Sequence, residues 1–156
     1  MQTIISMIKS DDWKQHYDAL NALRVLNKFN RDTLLGERSA YGSEESECSR
    51  IIAQFVKEGV DNLRSNLTKC ALMLVKEIFG STGADVYQEP DQRLRSLLRT
   101  SLPTVLLKTV FEKQFIAIEA KKACEACVSN KANALPEAVD VFVEGSKQIK
   151  NLPLAE

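Results

Sequence analysis

The sequence predicts an all-α fold, an α-solenoid of about three and a half stacked helix pairs forming a single domain over residues 1–156. Three observations carry that prediction. Ala19, Ala71 and Ala123 recur at a constant interval of 52 residues, each inside a helical-looking segment entered through a short polar turn. The same offset aligns Leu20 with Leu72 and Cys124, and Leu23 with Val75 and Cys127, so small and apolar residues return at the same inward positions. Composition agrees: 44% of the 156 residues are apolar, and six glycines and four prolines leave long helices uninterrupted. Self-similarity at this period marks supersecondary units that bury their faces only by stacking.

Such a unit is a little longer than the helix pairs of HEAT and armadillo repeats, the excess being assigned to connections. The first pair covers about 2–29. A short helix, QTIISMIK, is followed by Ser10-Asp11-Asp12, whose side-chain oxygens can cap the next helix at about 12–28. That helix turns Ala19, Leu20, Leu23 and Leu26 inward at helical spacing. A connection over about 30–46, rich in Gly, Ser, Glu and Arg, is expected to be mobile, with Gly36–Glu45 poorly ordered.

The second pair covers about 47–80. Its first helix runs to about Lys57, a turn is expected at Gly59-Val60-Asp61-Asn62, and the return helix buries Leu67, Cys70, Ala71, Leu74, Val75 and Ile78. Gly80-Ser81-Thr82-Gly83 is a helix stop. In the third pair, about 91–129, Pro103 predicts two helices or one kinked helix across 91–110. A turn at Glu112-Lys113-Gln114 then enters a helix over 115–129. A terminal helix at about 136–149 ends the stack as the first half of a fourth pair, with LPLAE as a frayed tail, so either this helix caps the array or a protein partner covers the C-terminal end.

Composition and motifs also bound function. The 21 basic and 21 acidic side chains cancel, which disfavours a general polyanion binder, and the cations are interleaved with acids, which disfavours nucleic acid. No apolar run is long enough for a membrane span, and MQTIISMIKSDD lacks a secretory pattern, so a cytoplasmic protein without membrane attachment is expected. Cys70, Cys124 and Cys127 fall at core-facing helical spacing, Cys48 does not. The Cys124-Glu-Ala-Cys127 pair lacks further ligands, and His16 is the one histidine, so neither a metal nor another cofactor is expected. Without a phosphate loop or a nucleophile–base pairing, no catalytic residues are nominated and the chain is read as a non-enzyme.

Function is therefore sought on the ridge formed by the three intra-repeat turns, which a stacked array must place along one edge. Each turn brings a large apolar group and a cation: Trp13 with Lys9 and Lys14, Leu63 and Arg64 with Lys57, and Phe115 with Lys108 and Lys113. Trp13, preceded by two aspartates, reads either as an exposed anchor or as a hydrophobic staple on the first helix. Arg64 reads either as a surface cation or as a partner of Asp61 or of a neighbouring repeat. Phe115 is expected to face the core beside Ile116 and Ala120, and Lys14 and Lys113 to be solvated.

Three strings, SDDWKQHYDALNALRVL, VDNLRSNLTKCALMLVKEIFGSTG and EKQFIAIEAKKACEACVSN, together resemble a TOG domain, the tubulin-binding HEAT array, in its CLASP and crescerin form. The matching features are a Trp ahead of the first long helix, an Asn-Leu-Arg-Ser turn before the second, and a Lys-x-Phe-Ile turn before an Ala-rich helix. The resemblance covers roughly residues 3–130. It implies a flat paddle whose turns dock on αβ-tubulin or the microtubule lattice, through Trp13 and Lys14, Leu63 and Arg64, and Lys113, with Asn62, Gln114 and Phe115 as weaker members. It also implies a cytoskeletal place, in the cytoplasm or the axoneme of a cilium or flagellum.

The chain departs from that pattern by having fewer repeats than such domains usually carry, by the Arg31–Ser46 insertion and by an extra helix before Pro103. These departures point to a short, specialised form that decorates a lattice without acting as a polymerase. The alternative from another class is a HEAT-like scaffold that binds a non-tubulin partner through its concave face or its incomplete C-terminal end. The first reading requires Trp13 exposed on one edge with Arg64 and Lys113. The second predicts Trp13 buried and an apolar patch near Val139, Phe142 and Val143.

Overall fold

Eight helices and no strand make up the described residues of the computed structural model, which are 1–35, 47–80, 94–111, 113–129 and 136–150. They are α1 (Gln2–Ile8), α2 (Trp13–Phe29), α3 (Arg31–Leu35), α4 (Glu47–Val60), α5 (Ser65–Gly80), α6 (Arg95–Phe111), α7 (Gln114–Ser129) and α8 (Pro136–Lys150). The helices form two layers of an α-solenoid. In one layer α2 packs on α5 and α5 on α7; in the other α4 packs on α6 and α6 on α8. Contacts of α1 with α2, α4 with α5 and α6 with α7 join the layers pair by pair.

The 52-residue recurrence is the seam of this stack. Ala19, Ala71 and Ala123 are all fully buried, as are Leu20, Leu23, Leu72 and Cys127, with Val75 and Cys124 close to it. A methyl group at the three equivalent positions lets helices approach where larger side chains would hold them apart. Gly59 completes the close packing on α4: a Cβ there would lie 3.1 Å from Cβ of Ala71 and 3.7 Å from Leu20. Gly59 is therefore not a turn residue. It and Val60 are buried inside α4, and the turn into α5 is confined to 61–64, shorter than the sequence suggests.

Charged side chains lace the seam from outside. Arg24 of α2 donates from Nε and Nη2 to both carboxylate oxygens of Glu77 on α5, at 2.9 and 2.6 Å. Lys76 of α5 reaches Glu119 of α7 at 3.5 Å, and Glu119 also accepts from Lys122 at 2.8 Å. The hydrogen bond from Lys122, joined by the charge of Lys76, holds the Glu119 carboxyl below its ordinary range despite partial burial.

Three expectations are corrected. The connection after α2 begins with a helix, α3, whose Leu34 and Leu35 are buried in the core; the stretch Gly36–Glu45 lies outside the described residues. Of the two alternatives across 91–110 the two-helix one is overturned, and with it the extra helix before Pro103, because α6 runs through Pro103 as one helix from Arg95 to Phe111. Pro103 lies on the exposed side, where water can stand in for the missing N–H, and the buried Ser101 hydroxyl donates to the Leu97 carbonyl one turn earlier. Leu26 is only half-buried, whereas Asn27 is buried and accepts from Arg31 at 3.0 Å. The 81–83 part of the expected helix stop and the LPLAE tail lie outside the described residues.

Cysteine placement follows the helical spacing: Cys70, Cys124 and Cys127 are buried and Cys48 is exposed. Burial pushes the Cys124 thiol up to about 12 and raises that of Cys127 as well, the behaviour of small core side chains. No described helix is long and apolar enough to cross a membrane.

Candidate functional site

The N-termini of α2, α5 and α7 come together on one edge. Each turn starts its helix in the same way: the carbonyls of Asp12, Arg64 and Lys113 accept the first helical N–H groups, from His16 at 3.1 Å, Thr68 at 3.1 Å and Ala117 at 3.0 Å. Their side chains differ. Asp12 is an ordinary N-cap, accepting from the Lys14 N–H at 3.0 Å, with Ser10 Oγ in turn accepting from the Asp12 N–H at 3.1 Å. Arg64 and Lys113 place cations at the positive end of a helix dipole, where Asp, Asn, Ser or Thr is favoured. A sequence that breaks this local rule twice along one edge is holding charge there at a cost of about 0.3–1 kcal/mol each.

The turns are built to hold shape. In the first, His16 Nε2 donates to the Ser10 carbonyl at 2.6 Å, while its ring meets Phe55 of α4 edge-on, 5.4 Å between centroids. In the second, Asn62 Oδ1 accepts from the Arg64 N–H at 2.9 Å, and the buried Thr68 hydroxyl donates to the Asn62 carbonyl at 2.8 Å. Asn62 is thus half-buried and shapes the turn from within. Lys108 of α6 lies 3.4 Å from Asp61, so that carboxylate pairs with the third repeat and not with Arg64.

Arg64 instead lies over Trp13, its guanidinium carbon 5.0 Å from the centre of the indole. Both remain exposed, Trp13 by 40%. The stack lines a shallow pocket of about 300 Å³ with Ser65, Asn66 and Leu67. Lys113 Nζ donates to Ser65 Oγ at 3.4 Å and brings the third turn against the second. A contiguous chain Trp13–Arg64–Ser65–Lys113 thereby crosses all three turns.

The remaining nominated residues occupy the same turns as exposed side chains: Lys14 and Gln114 in the first turns of α2 and α7, and Leu63 at the apex of the second turn, wholly exposed. Phe115 corrects the expectation of a core residue. It is 45% exposed, because Ile116 and Ala120 take the inward positions and Phe115, one residue before Ile116, is rotated off that face by about 100°. Lys108, grouped with Phe115 by sequence proximity, is half-buried and paired with Asp61. Sequence reasoning did not nominate Ser65, which bridges two turns, or Tyr17, exposed one helical turn beyond Trp13. The i, i+4 spacing of Trp13 and Tyr17 was the available signal for the latter.

The edge offers an aromatic plate, a guanidinium held on it, an ammonium group beside it and an exposed Leu. It suits an acidic protein surface with an apolar spot. Of the two discriminating conditions, exposed Trp13 on one edge with Arg64 and Lys113 is the arrangement present. Val139 and Val143 of α8 are exposed as well, with Phe142 half-buried against the core.

No protein-family model matches the chain, and no solved structure matches it. Among curated proteins, 143 residues, 92% of this chain, are similar at 26% identity to the mouse TOG array regulator of axonemal microtubules protein 1. The chain spans only 7% of that protein's length.

Proposed function

We propose that this chain is a non-enzymatic, TOG-like binding module that docks on αβ-tubulin, free or in the microtubule lattice, through the ridge of its three intra-repeat turns. The observation that carries the reading is the Trp13–Arg64 stack continued to Lys113 through Ser65, an exposed apolar and cationic line on one edge of an α-solenoid. Similarity to an axonemal microtubule regulator over 92% of the chain supports it. In this reading Trp13 and Leu63 supply apolar contact, while Lys14, Arg64 and Lys113 meet carboxylates and set encounter rate and register. Gln114 and Phe115 extend the contact and Asn62 keeps the second turn in shape. The place of action is the cytoskeleton, cytoplasmic or axonemal.

The test is binding of the purified protein to unpolymerised tubulin and, in parallel, to stabilised microtubules at low and moderate salt. Binding that weakens with salt and is lost in Arg64→Glu is the expected result. No binding to either form would move the reading to a HEAT-like scaffold for another protein, to which the exposed Val139 and Val143 at the C-terminal end already point.

A further inference from the structure

The outer face of α7 carries a pattern its predecessors lack. Where α2 and α5 carry Arg24 and Lys76, which bridge to Glu77 and Glu119 of the next helix, α7 carries Val128 at the equivalent position. Where α2 and α5 carry Lys14 and Asn66, it carries Ile118. Ile118 and Val128 are 45% and 54% exposed, and between them on the same face stand exposed Lys121 and Glu125. The spacing 118, 121, 125, 128 is one side of a helix, opposite the buried Ile116, Ala120, Ala123 and Cys127. Neither Lys121 nor Glu125 forms an ion pair with the described residues, and with the cation N-terminal to the acid their i, i+4 order is the weaker one within a helix.

That face is a palindrome about Ala123: Ile118 and Val128 lie five residues to either side, Lys121 and Glu125 two. An isologous two-fold contact demands this property, since a residue before the axis must meet the residue equally far beyond it. We infer that α7 pairs antiparallel with α7 of a second copy of this chain, Ile118 against the partner's Val128 and Lys121 against the partner's Glu125. Every contact then occurs twice, two apolar pairs outside and two ion pairs inside, over about three helical turns. Antiparallel pairing sends the two α7 N-termini in opposite directions, so the two turn ridges point away from each other and the dimer is bivalent. The bivalency rests on the ridge reading above; the association does not.

The experiment is sedimentation equilibrium of the full chain over a wide concentration range, with helix content by circular dichroism to show that each variant folds. The expected result is reversible self-association, weakened about tenfold or more in Lys121→Glu and in Glu125→Lys, each of which sets like charges together twice, and recovered in the double exchange. Ile118→Ser with Val128→Ser removes the apolar pairs and should leave monomer. A wild-type chain monomeric throughout, or a double exchange as weak as either single one, would overturn the inference. Loss of tubulin binding with self-association intact would overturn the ridge reading and not this one.

Discussion

The seam and the ridge lie on the same three helices and obey different rules. Along the seam the sequence repeats, Ala19, Ala71 and Ala123 at one interval, because every helix must fit its neighbour at the same depth. Along the ridge it does not: the residues that start the helices are Asp12, Arg64 and Lys113, and the third has slipped out of the 52-residue register. Packing imposes recurrence, whereas a surface that meets a partner can differ at every turn. The non-recurring positions are also those where local stability is sacrificed, with cations at helix N-termini and a Leu wholly in solvent.

The largest expected effect falls on the seam. Leu72→Ala removes a fully buried side chain at the centre of α5, and urea unfolding should show a loss of about 2–5 kcal/mol. Gly59→Val drives a branched side chain toward Ala71, 3.1 Å away at the Cβ, and should cost about 1–3 kcal/mol in the same measurement. If either leaves the midpoint unchanged, the close approach of α4, α5 and α2 is wrong.

The ridge should respond with the opposite sign. Lys113→Asp installs a favoured N-cap on α7 in place of a cation whose side chain reaches only as far as Ser65, so thermal unfolding should show a gain of about 0.5–1 kcal/mol. The same variant should bind tubulin more weakly. A variant both less stable and unchanged in binding would erase the contrast between the two regions.

Much of the seam was legible in sequence because buried positions constrain residue size and spacing directly. Gly59 was misassigned to a turn since glycine signals either freedom or closeness, and only the neighbouring Ala71 and Leu20 decide which. Pro103 left one helix or two open, and the single helix is the outcome where the proline lies on the solvent side. The ridge was legible as residue types but not as contacts. That Arg64 would choose the Trp13 ring over Asp61 depends on Lys108, forty-seven residues later in the chain, taking the carboxylate. Phe115 was turned inward because Ile116 and Ala120 are, but a side chain one residue from an inward position sits about 100° away around the helix.

The smallest effect concerns acid. Glu119 is held below its ordinary pKa chiefly by Lys122, with Lys76 adding to it, so its contribution is present above the unfolded value of about 4.3 and is lost as pH falls through the lower folded value. Glu119→Gln should therefore lose that contribution near neutrality, flatten the stability profile across the acidic window and converge on wild type at low pH. A variant whose loss of stability persisted undiminished at low pH would assign Glu119 a packing role instead.

The most direct test of the central claim is a paired measurement on Trp13→Glu: thermal midpoint and tubulin binding on the same preparation. The account predicts a midpoint close to wild type, since Trp13 contributes an exposed stack worth about 0.5–1 kcal/mol, together with lost binding to the form of tubulin the wild type prefers. Binding retained at wild-type strength by a folded Trp13→Glu protein would contradict it.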